Sequence, residues 1–214
     1  MALVQEPAEP QAWALVAAEV SSAPDGSRFV RLATSRHAFQ ASAHLVSGAA
    51  RAALFCGPAG FAATFTELSR TLAGQGVSAL FVHPRPGTSE GDTLACCAEF
   101  LRLRGARTLA LAAAGPCART ALEAACALDA EGVLLLSPAQ TPAEPRADLL
   151  RGRSLLLCTA GEHKRFEPLS GLPHAARCHF ALAGEAFDEV RSDLLAACVP
   201  FLAGGAPQAA PLHP

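Results

Sequence analysis

The chain has 214 residues, of which 51% are hydrophobic and 17% charged, with a formal net charge of -2. That is enough to bury one sizeable core, too apolar for a disordered segment and too nearly neutral to grip a phosphate backbone, so one domain is expected and nucleic acid is not expected as a partner. Residues 1–9 carry no Lys or Arg and include Glu6, Pro7 and Glu9, and no apolar run approaches the roughly 20 residues of a spanning helix, so neither a leader nor a membrane contact is expected.

Residues 29–33 and 39–46 read as two strands joined by a polar turn, the second with period-two alternation at Phe39, Ala41, Ala43 and Leu45. They should pair antiparallel ahead of the rest. Residues 52–56 form a short apolar strand ending in Gly57-Pro58-Ala59-Gly60, after which Phe65, Leu68 and Leu72 recur at helical spacing up to the stop at Gly74-Gln75-Gly76. A strand at 77–82, a helix over 93–103 ended by Gly105 and a strand at 108–113 follow. The next helix runs from Pro116, where proline suits a first turn, to Leu128. Strands at 133–136, 154–159 and 179–182 precede a closing helix over 185–202, and the polar, proline-rich stretch 137–153 reads as a loop.

Strand and helix alternating in this way define an α/β fold: a mostly parallel sheet with helices on both faces and antiparallel N-terminal strands, since parallel neighbours need long crossovers. The expected organisation is an N-terminal extension over 1–27, the α/β domain over 28–203 and a disordered tail over 204–214, which holds Pro207, Pro211 and Pro214. The eight cysteines, 56, 96, 97, 117, 126, 158, 178 and 198, lie mostly inside apolar runs without Cys-x-x-Cys spacing. Buried, reduced thiols in a cytoplasmic protein are expected.

Open parallel sheets bind ligands at the carboxyl ends of their strands. After the first parallel strand comes Gly57-Pro58-Ala59-Gly60, after the second His83-Pro84-Arg85-Pro86-Gly87-Thr88-Ser89-Glu90-Gly91, and after the third Gly115-Pro116-Cys117-Ala118-Arg119. Strand order and motif order from about residue 28 to 202 resemble the α/β-hydrolase superfamily, in particular its small capless, dienelactone-hydrolase-like members. In that resemblance 57–60 stands where the oxyanion loop lies, 83–91 is similar to an Asp-x-Arg-Gly-x-Gly-x-Ser-x-Gly segment, and 113–122 looks like the nucleophile elbow. The short 137–153 connection implies no large cap domain.

The superfamily's elbow reads Gly-x-Ser-x-Gly, because a strained strand-to-helix turn lifts the nucleophile between small neighbours. Gapless matching puts Gly115 at the serine position; a two-residue shift puts Cys117 there, as in the cysteine-bearing dienelactone hydrolases. The acid position falls on His163 or Glu162, and the histidine position on Glu185 or Ala186. Ser-His-Asp catalysis cannot be assembled from these residues.

The resemblance therefore implies a hydrolase-like protein with a degenerate triad. Such a protein is expected to act as a non-catalytic binding or partner protein, with Gly57, Pro58, His83, Gly115 and Ala118 at the binding site. The alternative is a hydrolase of a small ester, thioester or lactone with Cys117 as nucleophile, His163 as base and Glu185 as orienting acid. A small-molecule ligand or a protein partner, including a second copy of the chain, is expected. No cofactor and no metal is, since no His-x-x-x-His, Cys-x-x-Cys or phosphate-loop Lys-Ser/Thr is present.

Overall fold

A computed structural model describes residues 14–23, 26–83, 89–138, 154–160, 175–180, 183–184 and 187–206. Three antiparallel strands come first: β1 (Leu15–Ser22), β2 (Arg28–Thr34) and β3 (Ala38–His44). The strands that follow are β4 (Arg51–Cys56), β5 (Ser78–Val82), β6 (Thr108–Ala114), β7 (Gly132–Leu136), β8 (Ser154–Ala160) and β9 (Ala175–Phe180). All belong to one nine-stranded sheet, in the order β1-β2-β3-β5-β4-β6-β7-β8-β9. β3 runs antiparallel to β5, and from β5 to β9 every pairing is parallel.

β4 to β8 are buried on both faces, and their residues alternate between two apolar clusters. Leu54, Leu80, Leu111 and Val133 point to one cluster, which α2 (Glu90–Leu103) and α3 (Ala118–Ala127) cover with Leu94, Cys97, Leu101, Ala121 and Ala125. Phe55, Phe81, Ala112 and Leu134 point to the other, covered by α1 (Ala62–Gly74) and α4 (Arg191–Leu202) through Phe65, Leu68, Leu72, Leu194 and Cys198. An α/β sandwich of this kind needs each helix to present one apolar stripe, and Phe65, Leu68 and Leu72 of α1 are fully buried, as their spacing predicts. No helix among the described residues is long and apolar enough to cross a membrane.

Four boundaries differ from expectation. The sheet begins before residue 28: β1 pairs with β2 along its length, yet seven of its eight residues are exposed, so it lacks the alternation that marks a half-buried strand. β9 spans Ala175–Phe180 instead of 179–182; Cys178 and Phe180 are buried, and the polar Arg177 and His179, alternating with them, break the apolar run that a sequence reading follows. His179 therefore stands next to the carboxyl end of its strand, opposite Thr159, and not at the amino end. The last helix proper starts at Arg191, because Phe187 adopts φ +61° and a single 3₁₀ turn intervenes. α2, conversely, starts three residues early, where the Ser89 hydroxyl accepts from the Asp92 N–H and Glu90 and Asp92 occupy the positive end of the helix. Of the 137–153 connection and the 204–214 tail, residues 139–153 and 207–214 lie outside the described residues.

Candidate functional site

The topology singles out one crevice. β4 and β6 are neighbours, but the helix after β4 packs on one face and the helix after β6 on the other, so the two outgoing loops diverge at the sheet's carboxyl edge. Residues 57–61 and 115–117 form the walls. Their close approach rests on small residues. A Cβ on Gly57 would lie 2.7 Å from Phe65 Cε2 and 3.2 Å from Ala114 Cβ, and one on Gly115 would touch the Pro58 ring at 3.8 Å.

The corner itself is resolved residue by residue. Ala114 ends β6 in extended geometry (φ -124°, ψ 148°), Gly115 turns the chain with φ +55°, and Cys117 is already helical (φ -72°, ψ -11°). The Ala118 N–H closes the turn on the Gly115 carbonyl. A strand-to-helix turn bearing one left-handed residue is the shape of a nucleophile elbow, and the left-handed residue is the one that projects its side chain at the edge. Here it is Gly115, which has no side chain, while Cys117 stands two residues further on with helical backbone angles. Pro116 follows directly, so the backbone N–H that an elbow normally turns toward a developing oxyanion is absent, and Pro58 on the facing loop has none either.

Cys117 occupies another environment. It is 2% exposed, belongs to the apolar cluster under α2 and α3, and faces the thiol of Cys56 at the end of β4. The two thiols share a hydrogen bond. Accordingly Cys56 is pushed far above the ordinary thiol range by that bond and by burial, while Cys117 is drawn below its ordinary value by the same bond. Ala118 is equally buried in this cluster and turns no side chain to the crevice. Seven of the eight cysteines are buried, all eight are reduced, and only Cys126 is exposed.

His83 follows β5, level with Gly57 across the strand pair, and packs its ring edge-on against Phe81 with centroids 4.2 Å apart. Its Nδ1 is buried without a hydrogen-bond partner among the described residues. A further edge residue, which sequence reading passed over, is Ser137 after β7. It holds φ +38°, its N–H donates to the Cys158 carbonyl at 2.9 Å, and its buried hydroxyl has no partner among the described residues. A serine directly after an apolar strand was the signal available. Left-handed serine is strained, and such strain gathers at functional sites. His163 and Glu185 lie outside the described residues. Among the described residues no group of three metal-ligating side chains comes together.

Close by, α2 and α3 leave an open groove of about 560 Å³ whose rim includes Glu90, Asp92, Thr120 and Glu123, with Thr120 donating to Glu90 at 2.8 Å. On the far side, the loop that leads into α4 is latched by the Gly184 N–H, which donates to the Glu189 carboxylate at 2.9 Å and holds that carboxyl below its ordinary pKa. A lowered folded-state pKa means that the latch is intact above the ordinary carboxylate value and is lost as pH falls through the folded value. The Gly184 amide resonance should therefore titrate with a midpoint below 4.5, the ordinary value for this carboxyl. A midpoint at or above that value would show that the latch does not form.

No protein-family model and no curated sequence matches the chain. Solved structures do. The chain superposes on Est1E from Butyrivibrio proteoclasticus with a TM-score of 0.67 at 11% identity, covering 81% of this chain and 97% of that one. For an α/β serine hydrolase without lid from Xanthomonas campestris the values are 0.59 and 18%, with 92% and 96% covered. For a dienelactone hydrolase from Anabaena variabilis they are 0.61 and 12%, with 85% and 95% covered. The chain has the α/β-hydrolase fold, in its form without a large cap.

Proposed function

We propose that this chain is a hydrolase-fold protein that has lost acyl-transfer chemistry at its elbow and uses the carboxyl edge of its sheet to bind a small molecule or a partner protein. The observation that carries this reading is Gly115 at the left-handed corner position with Pro116 behind it. A triad needs a hydroxyl or thiol lifted at that corner and a donor for the oxyanion beside it, and glycine followed by proline supplies neither. His83 Nδ1 and the Ser137 hydroxyl, both buried with hydrogen-bonding capacity unused among the described residues, favour a ligand that carries polar groups across the mouth of the crevice.

The test is direct. The full chain should turn over neither short-chain p-nitrophenyl esters nor thioesters, and a fluorophosphonate probe should not label it. Esterase activity that survives Cys117→Ala would defeat both this reading and the next. Gly115→Ser should also stay unlabelled, because serine at φ +55° has no neighbouring N–H to stabilise an adduct, and the strain should lower stability by about 1–2 kcal/mol. Labelling of that variant would mean that a base and an oxyanion site are still in place.

A second reading, hydrolysis of a small ester, thioester or lactone by Cys117, draws on the lowered pKa of that thiol and on the likeness to a dienelactone hydrolase. It needs the sulfur to reach substrate, and the thiol is buried under two helices.

A further inference from the structure

β1 is an outer strand of the sheet, and among the described residues no other strand takes its free edge. Two of the four large hydrophobic side chains that the described residues leave exposed stand on β1 itself, and a third, Phe29 of β2, pairs with Ser21 and so lies on the opposite face of the hairpin from Val20. Val16 is 68% exposed, Val20 39% and Phe29 52%, all on the β1–β2 hairpin. The fourth, Leu103 at 73%, lies one turn beyond Glu99 on α2, and the Glu99 carboxylate accepts from the Leu15 N–H at 3.0 Å. Apolar surface gathered beside an open strand edge marks an interaction site.

The strand carries little that would blunt this edge. Residues 15–22 contain no Pro, Lys or Arg, and their one charge, Glu19, is matched across the hairpin by Arg31 at 4.0 Å. A bulge interrupts the register between Leu15 and Ala17, but 17–22 pair without a break.

We propose that β1 pairs antiparallel with β1 of a second copy of the chain, about a two-fold axis at Val20, joining the two sheets edge to edge. The strand is self-complementary in this register. A two-fold normal to the sheet preserves its faces and so must pass through a residue that meets its own copy. A dyad at Ala18 would draw in the bulge, and one at Glu19 would set two carboxylates face to face. At Val20 the rule is satisfied by an apolar residue. Val30 lies opposite Val20 within each copy, so the dimer carries an unbroken row from Val30 through Val20 to the partner's Val20 and the partner's Val30. Ala18 then faces the partner's Ser22, and Glu19 faces the partner's Ser21, with Arg31 still beside it.

Sedimentation equilibrium on the full chain should show a monomer–dimer equilibrium, and Val20→Lys, which sets two ammonium groups at the dyad, should raise the dissociation constant by about tenfold or more. In a Cys126→Ser background, Val20→Cys should form a disulfide-linked dimer under mild oxidation while the unaltered background does not. A chain that stays monomeric at every accessible concentration overturns the proposal, as does a dimer that Val20→Lys leaves unchanged and Val20→Cys fails to capture. A monomer that dimerises only after removal of residues 1–12 also overturns it, assigning the edge to the chain's own N-terminal segment.

Discussion

Replacing Phe65 with alanine should lower the stability of the fold by about 3–5 kcal/mol, read as a shift in the midpoint of urea unfolding. The size follows from where the ring sits. It is fully buried on the inner face of α1 and meets Phe55 of β4 at 5.1 Å, Phe61 at 6.0 Å and Phe81 of β5 at 4.9 Å between ring centroids. The substitution empties the centre of an aromatic cluster in which Phe55 and Phe81 are anchored in strands and cannot close in on the space. The same ring explains the glycine that opens the crevice. Phe65 Cε2 stands 2.7 Å from the place of a Gly57 Cβ and is hemmed in by three other rings, so Gly57→Ala should cost about 1–3 kcal/mol by overpacking. In the Phe65→Ala background that cost should largely vanish, since the clashing atoms are gone. Equal costs in both backgrounds would mean that Gly57 is required for its backbone and not for the room it leaves.

This coupling shows how far the fold and the site were legible in the chain. The parallel core was readable because Ala53 and Phe55 alternate with Leu54 and Cys56, and helical spacing at Phe65, Leu68 and Leu72 falls between two such strands. Those are local periodicities with a single cause, burial on one face or on two. β1 was not readable, because a strand exposed on both faces carries no such period. The carboxyl end of β9 was misplaced for a related reason, since polar residues on an outer strand interrupt the apolar run without interrupting the strand.

The candidate site was legible in position but not in register. The motif 113–122 could be aligned in two ways: glycine favours a positive φ, but an elbow holds its nucleophile there under strain, so that preference did not by itself fix the register. In the fold Gly115 takes the left-handed turn, and Cys117, two residues on, is helical and turned into the core. A cysteine at an elbow and a cysteine beneath it look alike in one dimension. What separates them is about half a helical turn, and that half-turn determines whether the sulfur faces substrate or Cys56.

The thiols themselves give the sharpest expectation. Under native conditions an aromatic disulfide reagent should titrate one cysteine of eight rapidly, and that one should be Cys126, the only exposed thiol. The remaining seven react only through opening of the structure, which for a domain of ordinary stability slows them by roughly a thousandfold or more. Cys117 is the informative member. Its pKa is drawn down within the fold by the Cys56 hydrogen bond, so a reagent able to reach it there would meet a larger share of thiolate than at an ordinary cysteine. Its burial works in the opposite direction, and burial dominates, because a modest gain in thiolate fraction is small beside the free energy of exposing the α2–α3 cluster. Cys126→Ser should therefore remove the fast phase entirely, with mass spectrometry finding Cys117 unmodified. A fast phase that persists in Cys126→Ser and disappears in Cys117→Ala would instead place a reactive sulfur within reach of solvent at the corner and restore the covalent mechanism that Gly115 and Pro116 argue against.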